Sequence, residues 1–144
     1  MATSIQIVFD CSDPKRQAAF WAAALHYKLQ DPPEGFASWE DFLRMQGVPK
    51  ADWNSTSAVV DPEGKGPRIF FQRMPTPKPG KNRLHIDINA GGGTAATAEE
   101  RGRCVAAEVA RLVKLGATMQ KEWHEDGENW VVMLDPEGNE FCVQ

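Results

Sequence analysis

The sequence predicts an α+β fold of two tandem βαβββ modules, forming a cupped mixed sheet around a central cavity. Three observations carry the prediction. The turn Asp-Pro-Glu-Gly occurs twice, at 61–64 and 135–138, each time between two short apolar strands. Each copy closes a segment that opens with an alternating strand and a helix. One helix per half can cover only one face of a four-stranded sheet, so the other face is left to line a cavity. A lone Asp-Pro-x-Gly is a common turn: Pro presets φ, Gly accepts the left-handed region, and Asp bonds the backbone ahead of it. Two copies with matching flanks indicate a repeated unit.

Taken in order, the first unit starts at Ser4–Asp10, where Ile5, Ile7 and Phe9 alternate with Gln6, Val8 and Asp10. Ser12 or Asp13 then caps a helix with Pro14 in its first turn. The helix runs to about His26, with Ala18, Ala19, Trp21, Ala22 and Leu25 as its expected buried face. Tyr27–Gln30 is a short strand closed by Asp31-Pro32-Pro33. Glu34–Asn54 has no counterpart in the second half. It carries Trp39, Phe42, Leu43 and Met45 at helical spacing, followed by Trp53, and either lies across the cavity as a lid or packs onto the core. Ser57–Val60 and Pro67–Arg73 complete the unit around the first repeated turn.

A linker at 75–81, with three prolines and a glycine, joins module 1–74 to module 82–144 within a single domain of 1–144. In Arg83–Asn89, Leu84, Ile86 and Ile88 face one side and His85, Asp87 and Asn89 the other. Ala98–Leu115 is a helix with Val105, Val109, Leu112 and Val113 as its stripe, stopped at Gly116. Strands follow at Ala117–Trp123 and Trp130–Leu134, joined through the hairpin signal Asp126-Gly127, and Glu140–Val143 is the last. Core packing is the default for Trp123 and Trp130. His26 and His124 are expected to be solvated.

Composition narrows the function. Hydrophobic residues make up 42% of the chain and charged ones 25%, ordinary for a globular protein. A net charge of −4 argues against nucleic acid, which selects a basic face. No apolar run approaches the ~18 residues of a membrane span, and the first residues lack a signal pattern. Cys11, Cys104 and Cys142 have no metal-finger spacing and read as reduced thiols, which points to the cytoplasm. The expected partner is therefore a small molecule, with no nucleic acid or membrane. Alternation places Gln6, Val8, Asp10, Arg68, Phe70, Gln72, His85, Asp87, Asn89, Glu140 and Cys142 on the cavity side, too polar a set for a core. The candidate ligand-binding residues are Gln6, Asp10, Phe70, Gln72, His85, Asp87, Glu140 and Cys142, with His85 the catalytic candidate.

The opening D-C-S-D-P with F-W and L behind it, the strand K-N-R-L-H-I-D-I, and the closing D-P-E-G-N-E-F-C-V resemble the vicinal oxygen chelate superfamily. The nearest likeness is its glyoxalase-like branch, related to bleomycin-resistance proteins. The resemblance implies a metal held at four places, the first and last strands of each unit, which fall here on Gln6, Gln72, His85 and Cys142. It also implies a carboxylate at the last place, where this chain has Cys142, with Gln72 as its equivalent in the first unit. Neutral amides and one imidazole hold a hard divalent ion weakly, so a metal cofactor is disfavoured. Two functions remain open. One is a binding protein that sequesters a small organic molecule, as the metal-free branch does with acidic and aromatic walls. The other is a metal-dependent lyase, isomerase or dioxygenase-type enzyme acting on a small carbonyl or aromatic metabolite. The superfamily pairs its modules within and between chains, and a homodimer is expected.

Overall fold

In the computed structural model, which describes residues 1–93, 95–125 and 128–144, the chain divides into two units, Met1–Pro77 and Lys78–Gln144. Both are βαβββ modules with the same topology. The first runs β1 (Gln6–Cys11), α1 (Pro14–Leu25), β2 (Lys28–Leu29), α2 (Trp39–Met45), a 3-10 turn (Lys50–Asp52), β3 (Thr56–Val60) and β4 (Arg68–Arg73). The second runs β5 (Asp87–Ile88), α3 (Ala98–Leu115), β6 (Thr118–Glu125), β7 (Glu128–Leu134) and β8 (Glu140–Val143). The sheets are ordered β1-β4-β3-β2 and β5-β8-β7-β6. In each, the opening strand lies parallel to the closing strand and the remaining pairs are antiparallel.

Module 1 is held by aromatic packing between α1 and its sheet. Asp13 caps the helix through the Arg16 N–H, Pro14 takes the first turn, and His26 ends it in the left-handed region at φ 57°. The buried face is Pro14, Gln17, Ala18, Phe20, Trp21 and Ala24. Ala19, expected inside, is exposed, because the stripe is set by the two large aromatics and rotates towards them. Trp21 stacks near Phe9, which in turn stacks on Phe71 of β4 at 5.5 Å between centroids. Ile69 and Phe71 are fully buried, so odd positions of β4 face the helix and Arg68, Phe70 and Gln72 face away. Burying each such side chain contributes roughly 1.5–3 kcal/mol.

Module 2 repeats this with aliphatic residues. Thr97 and Glu100 form a capping box at the start of α3, and Gly116 ends it at φ 114°. Val105 and Leu112 are buried against β7 and β8, whose inward residues are Val131, Met133, Phe141 and Val143. Val113, expected in the stripe, is exposed, as is Leu84. Leu84 lies ahead of the paired strand, which is shorter than the alternation of 83–89 suggests: regular pairing covers Asp87–Ile88, extended by the Cys142 N–H bond to the Ile86 carbonyl. Trp123 and Trp130 stack across the β6–β7 hairpin at 6.1 Å, with the Lys121 ammonium over the Trp123 ring. Trp123 is 39% exposed, so it decorates the hairpin rather than filling a core. The Asp126-Gly127 turn signal lies outside the described residues.

The repeated turns share two of three donors to their Asp, the backbone N–H groups two and four residues on. Asp61 accepts from the N–H groups of Glu63, Lys65 and Gly66. Asp135 accepts from those of Glu137 and Asn139 and from the Asn139 amide. Gly64 and Gly138 take φ of 70° and 82°, which other side chains rarely adopt. The segment at 34–54 forms its own aromatic cluster, in which Phe42 meets Phe36 and Trp39 edge-on. It is tied to module 1 through Asn54, whose amide donates to Asp13, and through the Trp39 indole, which donates to the Gln30 carbonyl.

Candidate functional site

The helix-free face of module 1 carries a fixed guanidinium. Arg68 donates from Nε to Gln30 Oε1 and from Nη1 to Gln6 Oε1, both at 2.6 Å. Its guanidinium carbon sits 5.1 Å from the Phe70 ring centroid. The charge is thus clamped from both sides, with an aromatic face beneath it and Nη2 without a partner among the described residues. Asp10 and Gln72 lie on the same face, exposed and paired across β1 and β4. The Gln72 amide donates to the Met74 sulfur at 3.6 Å.

Module 2 gathers a different set on the corresponding face. One ligand-type atom each from His85, Asp87 and Cys142 lies within 4.8 Å of the others. Asp87 is the hub: its Oδ1 is 3.3 Å from His85 Nε2, and it accepts a hydrogen bond from the Cys142 thiol. Strand pairing causes this, since Asp87 is directly opposite Cys142 in the parallel β5–β8 ladder and His85 precedes Asp87 by two. Burial, first, and then the charge and hydrogen bond of Asp87 push the Cys142 thiol up from its ordinary value, while Lys81 pulls weakly the other way. Glu140, expected to line the cavity, is engaged elsewhere. It accepts from the Asn82 N–H at 2.9 Å and pairs with Lys78 at 3.2 Å. Burial alone would raise its pKa, but those donors outweigh it and hold the carboxyl below its usual value.

The register corrects one equivalence. Cys142 pairs with Asp87, and the matching pair in module 1 is Phe70 with Val8. Phe70, not Gln72, is therefore the counterpart of Cys142, and Gln72 corresponds to Gln144 at the chain's end. Gln6 is opposite Arg68 and Gln72 opposite Asp10, four steps along the pair. That is about 13 Å, too far for one ion to hold both. Gln6 is also already bonded to a guanidinium, a poor neighbour for a cation. The amides of module 1 do not fit the metal that the resemblance implies.

Sequence reasoning missed Gln30, which fixes Arg68 from the far edge of the sheet; its place at the end of β2, on the same alternating face, was the available signal. A cavity of about 570 Å³ in module 2 opens beside the start of α3, lined by Arg101, Val105, Asn129, Trp130 and Gln144 among others. It contains none of His85, Asp87 and Cys142.

Two mixed four-stranded sheets, each built as βαβββ with a polar face opposite its helix, define the vicinal oxygen chelate fold. The family model of the glyoxalase-like domain matches residues 6–144, and the chain belongs to that family. Among solved structures it is similar to a glyoxalase/bleomycin resistance protein/dioxygenase family enzyme from Burkholderia phytofirmans PsJN. The TM-score is 0.61 at 14% identity, over 96% of this chain and 94% of that one. It is also similar to a mutant of the fosfomycin resistance protein FosX from Listeria monocytogenes, solved with Mn(II) and 1S,2S-dihydroxypropylphosphonic acid. There the TM-score is 0.60 at 13% identity, over 100% and 90%. A glyoxalase-related enzyme from Fulvimarina pelagi matches at 0.60 and 12%, over 99% and 87%. No curated protein matches the chain in sequence. No helix among the described residues is long and apolar enough to cross a membrane.

Proposed function

We propose that the chain binds a small organic molecule through the helix-free faces of its modules, acting as one domain, without the metal set usual for its superfamily. The observation that carries this reading is Arg68. A guanidinium clamped by Gln6 and Gln30 over Phe70 has already lost its rotamer freedom, so a ligand need not supply that ordering. The arrangement suits a flat or unsaturated body on Phe70 with a carbonyl or carboxylate oxygen at Nη2. Asp10 and Gln72, exposed on the same face of module 1, would then select among such molecules. The test is a thermal-shift screen of small carboxylates and aromatic carbonyl compounds, followed by calorimetry. Arg68→Met should weaken any hit by about 10–100-fold, the worth of a charge-assisted hydrogen bond. Binding unchanged in Arg68→Met and in Phe70→Ala refutes the reading.

A second reading, a metal-dependent lyase, isomerase or dioxygenase-type enzyme, draws support from the convergence of His85, Asp87 and Cys142. Turnover of carbonyl substrates that vanishes in His85→Ala while the fold persists would favour it. The three free cysteines support a cytoplasmic setting. A homodimer belongs to the same proposal and is checked by sedimentation.

A further inference from the structure

Strand register sorts the helix-free face of module 1 by charge. Gln6 lies opposite Arg68; two residues on, Val8, Phe70 and Ala58 stand side by side; two further on come Asp10, Gln72 and Thr56. A cationic row and an acidic row thus flank an apolar one. We infer that this face takes an ampholyte, a reading that rests on the Arg68 site proposed above and completes it at the other end. The molecule has a single ring for its body, an anionic group at one end for Arg68, and a protonated amine at the other for Asp10.

The two charges are available to such a molecule. Although opposite in sign and on one face, neither Arg68 nor Asp10 enters an ion pair among the described residues. The apolar row keeps them apart, with Val8 left 51% exposed beside half-buried Phe70. A simple carboxylate anchored at Arg68 would lay its body along this row and end in an apolar tail against Asp10. That tail takes water from the Asp10 carboxyl and gives nothing back, which costs binding. An ammonium group in the same place donates to Asp10 and turns the cost into a gain.

Spacing sets the length of the molecule. The rows of Arg68 and Asp10 are four residues apart, about 13 Å, and the lean of Arg68 over Phe70 shortens the gap between the charges to roughly 10 Å. A hydrogen bond of about 2.8 Å at each end leaves a body of roughly 5–7 Å, the long axis of one six-membered ring with a group at either end. An α-amino acid, with both charges on one carbon, is too short to reach both residues.

The test is calorimetry on the full chain at low ionic strength with two probes, para-(aminomethyl)benzoate and para-methylbenzoate, which differ only in the ammonium group. The first should bind about three- to fivefold tighter, the worth of a solvent-open ion pair. Asp10→Asn, on an exposed side chain, should erase the gap by weakening the first probe, and should slightly strengthen the second because a repelling charge is gone. Arg68→Met should weaken both. Equal affinities, or an advantage that survives Asp10→Asn, overturn the inference. The two readings fail differently: para-methylbenzoate binding that depends on Arg68 with no ammonium advantage sinks this one alone, whereas no binding of either probe sinks it together with the Arg68 site.

Discussion

Replacing Asp135 by Ala removes the hub of the second repeated turn, and its cost can be worked from the structure. The residue is 3% exposed, and its carboxylate accepts from Glu137 N, Asn139 N and Asn139 Nδ2 at 2.9–3.0 Å. A hydrogen bond to a charged group contributes about 1.5–3 kcal/mol, and donors left without an acceptor add to the loss. These bonds share one acceptor and do not add fully, and the half-buried Glu137 and Asn139 can recover some water. A loss of about 3 kcal/mol follows. Asp61→Ala is the internal control, since Asp61 is only half-buried, the turn residues 62–65 are exposed, and water can take the place of the carboxylate; its loss should be clearly smaller. Urea unfolding followed by tryptophan fluorescence and circular dichroism measures both. Two probes are needed because the modules could unfold separately, which would make a single free energy undefined. Equal losses, or a cost for Asp135→Ala within about 0.5 kcal/mol of zero, would refute the claim that burial separates the two copies.

Other perturbations address the remaining claims. A Cβ at Gly66 would stand 1.9 Å from Tyr27 Oη, so Gly66→Ala should destabilise by about 1 kcal/mol, and adding Tyr27→Phe should recover part of it. Asp13→Ala should cost about 1 kcal/mol as a lost helix cap, with Asn54→Ala showing a share of the same loss. Asp13 has its pKa lowered first by the Asn54 amide, and Asp61 first by the Gly66 N–H. Folded values below the ordinary 3.8 mean stability that is whole above that pH and lost as pH falls through the lowered values. Acid unfolding curves should therefore flatten below about pH 4 in Asp13→Asn and Asp61→Asn. If 34–54 is a lid, saturating ligand should slow its proteolysis; unchanged cleavage argues that its aromatic cluster is packing alone.

Much of the fold was legible because it rests on period and punctuation. Asp-Pro-Glu-Gly forces the same turn wherever it occurs, and alternation puts Phe71 and Phe141 inward with Arg68 and Cys142 outward in any register that keeps a core. Boundaries were less legible. Nothing local marks where 83–89 finds a partner, because pairing depends on the reach of β8. The buried face of α1 was misread at Ala19, since alanine at helical spacing fits either side and packing against Phe9 decides. Equivalence between the modules failed for a related reason. The superfamily resemblance matched Gln72 with Cys142, whereas the ladder, which fixes who stands opposite whom, matches Phe70.

That corrected equivalence changes what the duplication means. In the same slot of the same ladder, one module has Val8 opposite Phe70 and the other Asp87 opposite Cys142. Two steps before the β1 slot stands Gln6, bound to a guanidinium; two steps before the β5 slot stands His85, bound to a carboxylate. A positive charge fixed over an aromatic ring repels a metal ion and attracts an oxygen-bearing organic molecule. Imidazole, carboxylate and thiol brought together do the reverse. Two copies of one scaffold have thus diverged in charge while keeping the Asp-Pro-Glu-Gly turn and the strand order. The polar faces, freed from core packing by the helix on the other side, are where such divergence costs the fold least.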